Sequence, residues 1–90
     1  MITATQCAAA RALLRWKQSD LSNAIGANGG KLSVTAITSF ERGGSIRESN
    51  AALIEAALTQ AGVVLIPQNG GGPGVRLNAP EENRSAIEHD

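Results

Sequence analysis

Ninety residues allow one compact domain and leave no length for a second core. Lys plus Arg and Asp plus Glu each total eight, so the net charge is zero and the chain is no simple polycation that binds nucleic acid by bulk attraction. The zero hides a split: residues 1–77 hold Arg11, Arg15, Lys17, Lys31, Arg42, Arg47 and Arg76 against Asp20, Glu41, Glu48 and Glu55, a balance of +3, while residues 78–90 hold Arg84 against Glu81, Glu82, Glu88 and Asp90, a balance of −3.

Thr3 followed by Gln6 has capping-box form, and Ala9, Ala10, Leu13 and Leu14 recur behind it at helical spacing, which predicts a first helix over 4–15. Trp16 closes that run. Gln18 to Ile25 reads as a second short helix, with Leu21, Ala24 and Ile25 apolar and Gly26 as a left-handed C-cap. Asn28-Gly29-Gly30 costs too much inside a helix, so residues 27–32 are expected to be a flexible loop. Ser33 can cap a third helix carrying Val34, Ile37 and Phe40 and stopping at Gly43-Gly44.

Ser45 and Ser49 are alternative caps for a fourth helix, whose stripe Leu53, Ile54, Ala57, Leu58 and Ala61 ends at Gly62. The β-branched run Val63 to Ile66 and the run Gly74 to Leu77 flank the turn-rich Pro67–Pro73, and read either as a hairpin or as edge strands open to a partner. Residues 78–90 are polar and acidic, with little to bury, and are expected to form a disordered tail. The fold class is therefore all-α, four or five helices with a short C-terminal β-hairpin or edge strand. Its expected core is Leu13, Leu14, Trp16, Leu21, Ile25, Ile37, Phe40, Leu53, Ile54, Leu58 and Val63.

Chemistry-bearing residues are sparse. The single histidine, His89, is the second-last residue, so no enzyme is expected. Cys7, the only cysteine, sits among small helical residues as a buried, inert thiol, and one Cys with one distant His makes no metal site; no cofactor is expected. Gly30-Lys31-Leu32 fails as a phosphate loop because Leu32 stands where Ser or Thr would hold magnesium and Ile25 stands where the first glycine belongs. No segment approaches the roughly 20 apolar residues of a membrane helix, residues 1–6 do not open like a signal peptide, and a lone cysteine fits a reducing cytoplasm.

Arg11 to Trp16, then Gln18 to Leu21 with Ile25-Gly26, then Ile37-Thr38-Ser39-Phe40-Glu41-Arg42-Gly43, together resemble the Cro/C1-type (XRE) helix-turn-helix family of regulators. The later Leu53/Ile54, Ala57-Leu58, Ala61-Gly62-Val63 and Gly70 to Leu77 look like a short subgroup of that family, so the resemblance covers about five-sixths of the chain. It implies a lambda-repressor-like domain over 1–77 and a structural ion pair between Arg11 and Glu41. It also implies that Lys17 and Gln18 face phosphates while Val34, Thr35, Thr38, Ser39 and Arg42 face the major groove or its rim.

Two features depart from the pattern. Ten residues separate Gly26 from Ile37 where the family commonly has about five, so the turn carries an insertion. Positions 34–39 lack the Arg, Lys, Asn or Gln that read bases in pairs, while Leu32 and Val34 place apolar groups beside the turn. Arg15, Lys17 and Lys31 remain able to contact a phosphate backbone. In these respects the chain resembles the antiactivators of conjugative elements, which keep a regulator's helices but bind and silence a transcriptional activator. Such protein binding is the leading reading and operator DNA the alternative, with a homodimer through residues 63–66 as a further expectation. The acidic tail would repel DNA, cover the basic face as a decoy, or solubilise the domain.

Overall fold

The computed structural model describes residues 1–78. Four helices, α1 (Ala4–Leu14), α2 (Gln18–Ala27), α3 (Val34–Glu41) and α4 (Glu48–Gln60), precede two strands, β1 (Val63–Ile66) and β2 (Gly74–Leu77). The domain is thus mostly helical with one short antiparallel sheet. The expected tail lies outside the described residues, apart from Asn78.

Side-chain chemistry sets most boundaries. At α1 the Thr3 hydroxyl accepts from the Gln6 amide at 3.1 Å and the Gln6 side chain accepts from the Thr3 amide at 3.0 Å, the reciprocal capping box its sequence announces. Its far end closes in a Schellman pattern, with Trp16 N–H on the Arg11 carbonyl and Arg15 N–H on the Ala12 carbonyl. Arg15 occupies the left-handed position, φ 57 and ψ 37, where a residue with a Cβ costs roughly 1–2 kcal/mol. Ser33 caps α3 by accepting from the Ala36 amide at 3.1 Å. Gly43, at φ 97, ends it.

Two expected boundaries differ. Gly26 lies within α2, which runs on to Ala27, and the left-handed glycine after it is Gly29 at φ 89. Neither Ser45 nor Ser49 caps α4, which begins at Glu48 with Arg47 as an N-cap that makes no side-chain cap bond. The loop is also not loose. Gly30 N–H donates to the Ile25 carbonyl at 3.0 Å, Ser22 Oγ donates to the Leu32 carbonyl at 2.6 Å, and a Cβ on Gly30 would lie 2.7 Å from Leu53 Cδ2. The connection over 28–33 is thereby fastened to both α2 and α4.

Packing follows from this frame. α2 lies on α3 and α4, α1 on α3 and α4, β1 on α4 and β2 on α1. The shared core holds Leu21, Ile25, Ile37, Phe40, Ile54, Leu58 and Val63 as expected, together with Ile2, Cys7, Ala10, Leu32, Ala51 and Ala57. Leu14, Trp16 and Leu53 are only partly buried against it. Leu13 is a correction, being 39% exposed. Leu14, four residues after Ala10 and seven after Cys7, takes the inward face of α1 and leaves Leu13 at its edge, while the small Cys7 and Ala10 let α3 and α4 approach closely.

The two strands pair with each other in antiparallel register, Val63 opposite Leu77 and Ile66 opposite Gly74, so they form a hairpin. Gln6, the one buried polar residue among the described residues, clamps its loop end: Nε2 donates to the Ile66 and Gly74 carbonyls, both at 3.0 Å. Both amide hydrogens and the carbonyl oxygen of this side chain are therefore used. Gln6→Ala leaves two strand carbonyls without a donor and is expected to cost about 1–3 kcal/mol, readable as a lower urea midpoint with an unchanged m-value. No helix among the described residues is long and apolar enough to cross a membrane.

Candidate functional site

One polar network joins three helices behind the exposed side of α3. Arg11 on α1 grips Glu41 at the end of α3 in a bidentate pair, Nε to Oε2 and Nη2 to Oε1, each 2.7 Å. Its remaining Nη1 donates to the Trp16 carbonyl at 3.0 Å, which holds the α1–α2 link beside Glu41. Gln18, the first residue of α2, donates from Nε2 to Glu41 Oε1 at 3.1 Å, and the Thr38 hydroxyl donates to Gln18 Oε1 at 2.5 Å. Cys7 Sγ donates to Glu41 Oε2 at 3.1 Å. The Glu41 side chain, 8% exposed, thus collects four donors from α1 and α2.

Electrostatics follow from that crowding. Burial pushes the Glu41 carboxyl up, but bonds from Arg11, Cys7 and Gln18 and the Arg11 charge outweigh it and hold the group below its ordinary 4.5. Burial, then the bond to Glu41 and its negative charge, push the Cys7 thiol from 9.0 up to about 12. A buried thiol kept protonated is a poor nucleophile. In the folded protein Cys7 is therefore expected to resist iodoacetamide at pH 8.5 and to react on unfolding in urea, a contrast that mass spectrometry reads directly. Because the folded thiol titrates above the unfolded one, its contribution to stability is complete below pH 9 and is lost between pH 9 and about 12.

Outside this network the α3 face is open. Val34, Thr35, Thr38, Ser39, Arg42 and Gly44 line a shallow concavity of about 500 Å³. Val34 is its one large apolar side chain, 39% exposed. Gly44 forms part of the wall because its N–H bonds the Ser39 carbonyl at 2.8 Å, leaving no room for a Cβ beside Ser39 Oγ. Lys17, Lys31, Thr35, Ser39 and Arg42 are exposed.

Three expected site residues behave otherwise. Leu32 is only 7% exposed and belongs to the core, so it offers nothing to a partner; its apolar side chain anchors the inserted turn. Gln18 is half-buried, its amide donating to Glu41 and its carbonyl accepting from Thr38. Thr38 is half-buried, its hydroxyl given to Gln18 with the Val34 carbonyl as alternative acceptor. Neither a family model nor a curated protein matches the chain.

What the surface can do chemically is now limited. The hydroxyls of Thr35 and Ser39 bond without discriminating, Val34 supplies one apolar contact, and the long cations lie at the margins: Arg42 at the C-terminal end of α3, Lys31 ahead of its N-cap, Lys17 at the start of α2. Sequence reading missed Gly44 and the αL strain at Arg15. Gly43-Gly44 signalled a helix stop, which masked the second glycine's place in the concavity. Nothing in the sequence signals that Arg15 takes a glycine-like conformation.

Proposed function

We propose that this chain is a small regulator of Cro/C1 helix-turn-helix type whose α2–α3 pair serves protein recognition: it docks a transcriptional activator on the open side of α3 and silences it. One observation carries the reading. Gln18 is bonded to Glu41 and the Thr38 hydroxyl to Gln18, and the middle of the face is lined by Val34, Thr35, Thr38 and Ser39, none of which makes the paired contacts that distinguish one base from another. An apolar residue ringed by hydroxyls and bounded by cations is the layout of a small protein interface, with its anchor inside and its charges on the rim. The burial of Leu32 narrows the anchor to Val34 alone.

Operator DNA remains the second reading, favoured by Lys17, Lys31 and Arg42, exposed and able to reach phosphates. The two readings part under salt. Three phosphate contacts give a log–log salt slope of roughly −3, independent of base sequence, whereas an interface anchored by Val34 responds weakly to salt and strongly to Val34→Asp. Amide NMR titration with a promoter duplex, and then with candidate activator proteins, should perturb Val34, Thr35, Ser39 and Arg42 only in the second series. Tight, base-selective capture of a defined duplex by the purified chain would overturn the reading.

A further inference from the structure

Positive charge gathers around the α3 face, and nothing among the described residues pairs with it. Arg15, Lys17, Lys31 and Arg42 are exposed, and the one ion pair among the described residues is the internal Arg11–Glu41 bond. The helix ends that carry three of these cations are tied together. Gln18 bonded to Thr38 sets the start of α2, with Lys17, against the middle of α3, and the Arg11 bond to the Trp16 carbonyl draws residues 15–17 toward Glu41, next to Arg42. Arg15 supplies an independent sign. It stands at a left-handed position that glycine fills without strain, and a long cation kept in such a place points to a use for its charge.

The matching negative charge is in the same chain. Residues 79–90 hold Glu81, Glu82, Glu88 and Asp90 against Arg84. They leave the domain at Asn78, whose N–H is bonded to the Gly62 carbonyl at 2.7 Å at the foot of the hairpin. From there β2 lies along α1 and α1 along α3, so the face is two element spacings away, roughly 20 Å. Twelve residues reach about 40 Å when extended. Contacts between exposed charges are individually weak, but a tether holds its ligand at an effective concentration on the order of millimolar.

We propose that the acidic C-terminal segment, through Glu81, Glu82, Glu88 and Asp90, folds back onto the cationic rim formed by Arg15, Lys17, Lys31 and Arg42 and competes there with the partner of α3. The proposal rests on the docking reading above and adds its regulation: an activator gains access only by displacing the chain's own carboxylates, so it must itself present acidic groups beside an apolar one.

The test uses the full chain with Ser85→Cys carrying a nitroxide label, since Cys7 is buried and does not compete for it. Amides of Thr35, Ser39 and Arg42 should lose more than half their intensity in 20 mM salt and recover in 1 M salt, where charges are screened beyond about 3 Å. Neutralising the segment (Glu81→Gln, Glu82→Gln, Glu88→Gln, Asp90→Asn) should abolish the broadening. Arg15→Gly should weaken it while raising the melting temperature, a combination that misfolding cannot produce. Broadening confined to residues next to Asn78, or unchanged by neutralisation, would overturn the proposal. The label is read with no activator present, so that failure leaves the docking reading intact; an activator footprint away from α3 would overturn the docking reading and leave the tail contact standing.

Discussion

Glu41→Ala is expected to lower the melting temperature by about 15 °C, from a loss on the order of 3 kcal/mol, because it strands the Arg11 guanidinium without its counter-charge and removes the acceptor used by Gln18 and Cys7. Arg11→Ala should cost a similar amount for the mirror-image reason. The double replacement Arg11→Ala with Glu41→Ala should cost less than the two single losses added together, since no buried charge is then left alone. A double-mutant cycle by thermal melting checks this; additive singles would mean that the pair is no more than a surface contact. The pH profile gives a second readout. The folded carboxyl titrates below the unfolded one, so Glu41's contribution is complete above pH 4.5 and is lost as the pH falls through the lower folded value. The urea midpoint of the native chain should therefore fall more steeply below pH 4.5 than that of Glu41→Gln.

Leu32 and Val34 should separate by an equally large margin, although both are apolar and stand two residues apart. Leu32→Ala opens a cavity beneath the turn and is expected to cost about 2–5 kcal/mol, and Leu32→Asp should leave the chain largely unfolded. Val34→Asp, on the exposed first turn of α3, should change stability by about 0.5 kcal/mol or less and yet, on the proposed docking role of this face, abolish binding of an activator. Denaturant melts set beside binding measurements give the outcome. A loss of binding with Leu32→Asp alone would carry no functional meaning, since the fold goes with it; a Val34→Asp chain that still binds its activator would remove the anchor from the α3 face.

Local chemistry accounts for how much of this was legible beforehand. The Thr3–Gln6 box, the Ser33 cap, the stop at Gly43 and the β-branched Val63–Ile66 run depend on neighbours within a few residues, and each appears where its pattern lies. Ala57 and Leu58 lie on the stripe read for α4, and both are buried. The Arg11–Glu41 pair came from a resemblance to known regulators rather than from spacing, since no periodicity links residues thirty positions apart.

By itself, then, the sequence determined the helical composition, the two short strand runs, most of the large core side chains and the opposition between a basic body and an acidic end, because periodicity, capping and charge are written in the order of residues; the pairing of the two runs as a hairpin was settled by the structure. Tertiary structure alone decided that Leu32 goes inside, that Leu13 stays out, that Gln6 clamps the loop end of the hairpin and that Gln18 and the Thr38 hydroxyl bond into the network around Glu41. These are choices between solvent and a neighbour far along the chain, and the winner is set by which distant group offers a cavity or a hydrogen-bond partner at the right distance.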